Sequence, residues 1–253
     1  MNPPGNPEVR VFDGPGTLVE AAAGEFVRRV REAVDRSGRC AVALAGGSTP
    51  RPVYEALAAK PAAVAPPWER VHFFWGDERP VPAGHPDSNY RMAREALLGR
   101  IDVPDANVHP IDTARGDPDA VARAYEDELR SFFAPAAGEL PRFDLVLLGM
   151  GEDGHTASLF PGSPALLERE RLVAANWVAR LDTHRYTLTF PVLDAAACVV
   201  FLVSGERKAF ALARVLNPSG DDVPPPAARV RPSDGEVLWL VDSAAAGGLE
   251  PTR

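Results

Sequence analysis

Apolar positions along this chain follow two periods in turn. Across residues 17–37, Leu18, Ala22, Phe26, Val30 and Val34 recur at helical spacing and share one face, and the T-x-x-E pair Thr17 and Glu20 predicts a capping box at the start. CAVALAGG at 40–47 is a short continuous apolar run ending in glycines, as a buried strand would be. STP then opens a helix carrying Val53, Tyr54 and Leu57, with Pro50 suited to its first turn. VHFFWGDE at 71–78 predicts a second strand and 89–98 a helix. Asp117 and Pro118 open a further helix with Val121, Tyr125, Leu129 and Phe132 on one face. FDLVLLGM, ACVVFLVSG and EVLWLVD predict three more strands, the second followed by a helix over ERKAFALARVL. About forty residues precede the first of these strands, and most of them fit one amphipathic helix.

Continuous apolar strands separated by helices imply an α/β fold: a Rossmann-like domain whose mostly parallel sheet is flanked by helices on both faces. With 253 residues, and only short proline-rich pieces at 61–67 and 224–226, the expectation is a single domain over 1–253. The charged, proline-rich stretch 217–234 predicts a mobile loop.

Composition narrows the partners. A net charge of −8 argues against nucleic acid, whose phosphates would be repelled, but leaves room for a small anion held by local basic groups. Cys40 and Cys198 lie in apolar strands and read as buried, reduced thiols. MNPPGNPEVR has no apolar signal-peptide core, and no run approaches membrane-spanning length, so no membrane partner and a cytoplasmic location are expected. No long exposed apolar stripe demands a dimer, which leaves a monomer or weak homo-oligomer.

Ligands of open parallel sheets bind outside the carboxyl ends of the strands. Here those ends carry AGGSTP, GDERP, GMGEDGHT and SGERK, which together define one crevice. AGGSTP lacks the spacing of a nucleoside-triphosphate loop. Its Gly46, Gly47, Ser48 and Thr49 still offer close backbone approach, free amides and hydroxyls to an anion. The plainer alternative is a strand–turn–helix with Thr49 as N-cap. Of the 27 lysine and arginine residues only Lys60 and Lys208 are lysine, and Lys208 sits in SGERK. Arg79, Arg180, Arg185 and Lys208 fall in or near these loops and are the candidate phosphate-binding cations.

Gly149, Gly151 and Gly154 match the dinucleotide pattern G-x-G-x-x-G literally. Glu152 and Asp153 would repel a pyrophosphate, and the following HTASLFPGSP carries turn signals, not a helical stripe, so a nucleotide is excluded. What remains is His155 on a tight glycine loop beside acids, a candidate general base. Asp153 and Asp77 are the candidates for orienting it. His72, His85, His109 and His184 lack that setting. With no H-E-x-x-H and no paired cysteines, no required metal is expected.

AGGSTP, GDERPVPAGHPDSNY, LGMGEDGHTASLFPGSP, RYTLTFPVL and FLVSGERKA occur in an order that resembles the 6-phosphogluconolactonase family over about 41–216. The resemblance implies hydrolysis of 6-phospho-D-glucono-1,5-lactone to 6-phosphogluconate, a sugar-phosphate step of the oxidative pentose phosphate pathway, with no cofactor. It implies His155 as base and Arg79 at the phosphate. The family often has a lysine five residues before the R-[IY]-T block, where this chain has Arg180.

Two rivals are set against this. An amino-sugar phosphate deaminase or isomerase on the same fold usually continues its histidine segment into an asparagine–glutamate–proline piece, whereas ASLFPGSP follows here. A sugar-phosphate sensor in a transcription regulator carries an added helix-turn-helix segment. The forty residues before the first strand leave little room for one, and the acidic net charge disfavours DNA.

Overall fold

The computed structural model describes residues 7–218 and 223–249. Among the described residues nine strands run in chain order: β1 (Glu8–Phe12), β2 (Cys40–Leu44), β3 (Val71–Trp75), β4 (Asp77–Glu78), β5 (Leu145–Gly149), β6 (Val173–Val178), β7 (Thr183–Leu188), β8 (Cys198–Val203) and β9 (Glu236–Asp242). Between and after them lie α1 (Pro15–Ser37), α2 (Pro50–Ala58), α3 (Asn89–Ala96), α4 (Pro118–Phe133), α5 (Phe190–Asp194), α6 (Ala209–Leu216) and α7 (Ser243–Ala246). Six strands form a parallel sheet in the order β1-β9-β8-β5-β2-β3. Every residue of β2 and of β8 is buried. Successive side chains of a strand point to opposite faces, so both faces of the sheet are covered, as the continuous apolar runs predict.

The order reverses beside β2. From β2 the chain moves outward to β3, and from β5 it moves the other way through β8 to β9. That reversal opens a crevice at the carboxyl ends of β2 and β5, the ends that carry the glycine loops.

Several boundaries differ from the sequence expectation. β1 precedes α1 and pairs with β9 at the sheet edge, so the described residues before β2 hold a strand as well as a helix. Its alternating EVRVF is largely exposed and too short to stand out as a buried run. Helix α1 begins at Pro15, with Gly14 as N-cap. Thr17 therefore does not open it with Glu20. Its Oγ1 accepts from the Gly14 amide at 3.2 Å and donates to the Gly14 carbonyl at 2.9 Å. The 71–78 run divides at Gly76: β3 stays in the parallel sheet, while β4 pairs antiparallel with β7 in a second sheet ordered β4-β7-β6. That small antiparallel sheet, which no continuous apolar run announces, joins the GDER and RYTLT segments. The ERK of SGERK forms a 3-10 turn, and α6 starts only at Ala209.

The stretch 217–234 is not a free loop where it is described; 219–222 lie outside the described residues. Ala227 and Val230 are buried, and the Ala227 amide donates to the Gly154 carbonyl at 3.0 Å. The Arg231 amide donates to Asp194 Oδ1 at 2.7 Å, and the Ser233 amide to the Asp194 carbonyl at 3.1 Å. Burial pushes the Asp194 carboxyl up to about 6, against the pull of the Arg231 amide and nearby arginines.

Two buried tyrosines finish the strands that lead into the crevice. The Ala45 amide donates to Tyr54 Oη at 3.0 Å, and that hydroxyl donates to the Ala45 carbonyl at 2.8 Å. Tyr125 does the same for both backbone groups of Trp75, at 2.8 and 3.2 Å. Burial pushes both phenols well above their ordinary range, so they stay neutral. Tyr54→Phe strands a buried amide and carbonyl and is expected to cost about 1–3 kcal/mol. Urea denaturation should show a lower midpoint at unchanged slope; an unmoved midpoint would contradict this role.

Candidate active site

The glycine loop after β2 is shaped by its neighbours. A Cβ on Gly46 would lie 1.8 Å from Asn89 Oδ1, so only glycine admits Asn89 at this point. Gly47 has φ +104°, a region that side chains rarely adopt. Among the described residues, the amides of Gly46, Gly47, Ser48 and Thr49 have no acceptor. Thr49 takes the N-cap place of α2, yet its side chain makes no capping bond. The hydroxyl and the amides are thereby left for a ligand, as an anion site requires.

Asn89 links this loop to GDER. Its Nδ2 donates to the Asp77 carbonyl at 2.8 Å and to Asp77 Oδ1 at 3.2 Å, while Ser158 Oγ donates to Asp77 Oδ2 at 2.6 Å. Asp77 is thus fixed on the crevice wall and is not bonded to His155. Glu78 points the other way and is buried. It accepts from the amides of Arg79, Asn89 and Tyr90, each at 2.8 Å, and so occupies the N-terminus of α3. Burial raises its carboxyl above the usual range although these amides oppose the rise. In DER and DSN, therefore, Glu78 and Ser88 build the scaffold, Asp77 lines the site, and buried Asn89 holds Asp77 in place.

The loop after β5 holds the histidine. The Gly151 amide donates to the His155 carbonyl at 2.8 Å and closes the turn. A Cβ on Gly151 would fall 1.9 Å from His155 Nδ1. Asp153 Oδ1 accepts from the His155 amide at 3.1 Å and lies 2.5 Å from ring Nδ1. Because an ionised carboxylate only accepts, this contact assigns the proton to Nδ1 and leaves the Nε2 lone pair free. Burial pushes the Asp153 carboxyl up, but the bonds from His155 and the charge of Arg180 outweigh it and hold it at about 2. The Phe160 ring centre is 4.2 Å from that of His155. Ala157, on the crevice wall, has φ +45°, a strained value for a residue with a Cβ.

These loops enclose a crevice of about 360 Å³. Gly46, Gly47, Ser48, Thr49, Asp77, Arg79, His155 and Lys208 line it, so eight of the residues expected from sequence converge. Asp153 lies behind His155. Arg185 lies beside Arg79, whose charge, second to burial, lowers its pKa. Among the described residues neither guanidinium forms a salt bridge with a carboxylate: Arg79 Nη1 donates to the Asp87 carbonyl at 2.8 Å and Arg185 Nη1 to the His184 carbonyl at 3.0 Å. Among the described residues the Lys208 ammonium has no hydrogen-bond or salt-bridge partner, and burial lowers its pKa. Arg180 does not line the crevice; its Nη2 meets Asp153 Oδ2 at 2.8 Å.

Sequence reasoning passed over Asp242. Its carboxylate accepts from Ser204 Oγ at 2.5 Å and from the Gly205 and Ala245 amides at 3.0 and 2.8 Å, fixing the turn that presents Lys208. An acid ending a buried strand, as in EVLWLVD, is the signal that could have revealed it. Among the described residues, no group of three or more His, Cys, Asp and Glu side chains is placed to hold a metal ion.

Residues 13–239 match the family described as glucosamine-6-phosphate isomerases/6-phosphogluconolactonase. A 6-phosphogluconolactonase of Synechocystis is 46% identical over 97% of this chain and 99% of its own length. One of Rattus norvegicus is 39% identical over 94% of this chain and 92% of its own. The solved 6-phosphogluconolactonase of Trypanosoma brucei superposes with a TM-score of 0.86 at 33% identity, covering 97% of this chain and 99% of that one. With its glycine loops and its histidine loop all within the matched region, this chain belongs to the glucosamine-6-phosphate isomerase/6-phosphogluconolactonase family.

Proposed function

We propose that this chain hydrolyses 6-phospho-D-glucono-1,5-lactone to 6-phosphogluconate. The observation that carries the reading is the His155–Asp153 pair at 2.5 Å, on the wall of a crevice whose Arg79 and Lys208 have, among the described residues, no carboxylate salt-bridge partner. Its relatives bear the lactonase name over nearly their whole length.

In the reaction His155 Nε2 takes a proton from water as the oxygen attacks C1. The Nδ1–H bonded to Asp153 stabilises the imidazolium that forms. The carbonyl oxygen becomes an oxyanion and is met by loop amides. When the C1–ring oxygen bond breaks, the imidazolium returns the proton to that oxygen, giving the open acid and regenerating neutral His155. The phosphate is anchored by the Gly46–Thr49 loop with Lys208 and Arg79, and Arg185 reinforces Arg79. Distal binding energy then orients the reacting carbon. In this reading the whole chain acts as one α/β domain in the cytoplasm, as a monomer or weak homo-oligomer, without nucleic acid and without a cofactor.

The phosphate anchor has a direct test. kcat/KM for the phosphorylated lactone should exceed that for glucono-1,5-lactone by about 100-fold or more, the scale of one or two charge-assisted contacts. Lys208→Ala should narrow that ratio mainly through KM. Equal kcat/KM for the two lactones in the native enzyme would remove phosphate recognition from the account.

A further inference from the structure

Arg180 occupies the 3-10 turn Ala179–Leu181 between β6 and β7. Its guanidinium makes two contacts around the catalytic pair. Nη2 reaches Asp153 Oδ2 at 2.8 Å, on the oxygen that His155 does not use. The guanidinium carbon also stands 4.8 Å from the centre of the Phe160 ring, which packs on the imidazole. His155, Asp153, Arg180 and Phe160 thus close a circuit, and Arg180 is absent from the crevice wall.

We propose that Arg180 is a positioning residue for the His155–Asp153 pair, holding the carboxylate plane from behind and the imidazole plane through Phe160, and that it does not bind the substrate phosphate. The inference rests on the lactonase reading above. A carboxylate bonded through one oxygen can still turn about its Cβ–Cγ bond; a second contact on the other oxygen removes that freedom. The contact to Oδ2 is an ion pair without hydrogen-bond geometry, and arginine suits it together with the ring contact because its planar, delocalised cation also stacks on an aromatic face, whereas a lysine supplies only a point charge. At 52% side-chain exposure the ion pair adds little to stability, so its effect belongs to geometry and not to folding. The other charges acting on this corner are Glu152, Lys208 and Arg207, from the loops after β5 and β8.

The test compares native enzyme, R180A and R180K on both the phosphorylated lactone and glucono-1,5-lactone. R180A should lose about tenfold in kcat on both substrates at unchanged KM, the scale of a misplaced catalytic group. Its acid limb in kcat/KM should move to higher pH, because a cation that opposes a second positive charge beside it is gone. R180K should recover only part of kcat. Without any substrate, the downfield His155 Nδ1–H proton resonance of the native enzyme should broaden in R180A. A raised KM confined to the phosphorylated lactone would overturn the proposal in favour of a phosphate contact. An unchanged resonance with unchanged kinetics would reduce Arg180 to a surface charge. A native enzyme inactive on either lactone would sink the lactonase reading alone, and the resonance would still decide the position of Arg180.

Discussion

His155→Ala is expected to lower kcat on 6-phosphogluconolactone by about 100- to 10,000-fold, while 6-phosphogluconate binds nearly as in the native enzyme. The imidazole is the group on the crevice wall with a free lone pair and a carboxylate fixed to its other nitrogen. The proposed phosphate cations stand on other loops: Lys208 follows β8 and Arg79 follows β4. Removing the base therefore removes water activation and leaves the anchor in place. Structural damage should be small, since the loop is closed by the backbone bond from Gly151 to the residue-155 carbonyl, which alanine keeps. Steady-state kinetics with calorimetric titration of 6-phosphogluconate checks both halves. Turnover near the native value would take His155 out of the mechanism.

Asp153→Asn is expected to cost on the order of 100- to 10,000-fold in kcat with little change in KM. The amide keeps the shape but loses the charge that stabilises the imidazolium. Turned one way it presents N–H to Nδ1 and favours the tautomer with its proton on Nε2, where the water must be deprotonated. Loss of the charge also frees Arg180. The pH profile sharpens the point. The native Asp153 carboxyl, held at about 2, stays ionised well below its ordinary range. Activity lost between about pH 4 and neutrality therefore does not report Asp153 protonation. The same depression means that its ion-pair stabilisation is complete above the unfolded-state value of about 4, declines as the pH falls below it, and is gone once the pH has fallen through about 2. A variant with native kcat at every pH would contradict the orienting role.

Much of the site was legible because parallel α/β topology sends several strand ends to one edge. Glycines and polar groups after β2, β5 and β8 could be assigned to a crevice without knowing any distance. The choice between Asp153 and Asp77 was not legible. It depends on Asn89 and Ser158, which come from α3 and from the histidine loop and turn Asp77 away. The contact of Arg180 was not legible for a related reason: its position in the chain sets it near the candidate phosphate cations, and the antiparallel β6–β7 pair brings it against Asp153. β1 and β6 escaped because an edge strand or a half-exposed strand lacks the continuous apolar run of β2 or β8. The break at Gly76 was hidden because β3 and β4 read as one strand while belonging to two sheets.

The central claim is water attack on a phosphorylated lactone, and the most direct measurement follows that reaction beside its nearest rival. 6-Phosphogluconolactone is generated in situ, 6-phosphogluconate is read through its dehydrogenase with spontaneous hydrolysis subtracted, and glucosamine 6-phosphate is run in parallel for ammonia release. Acceleration of lactone hydrolysis with no ammonia is the predicted result. Ammonia release from folded protein, with the lactone decaying at its spontaneous rate, would contradict it and assign the His155 loop to proton abstraction instead.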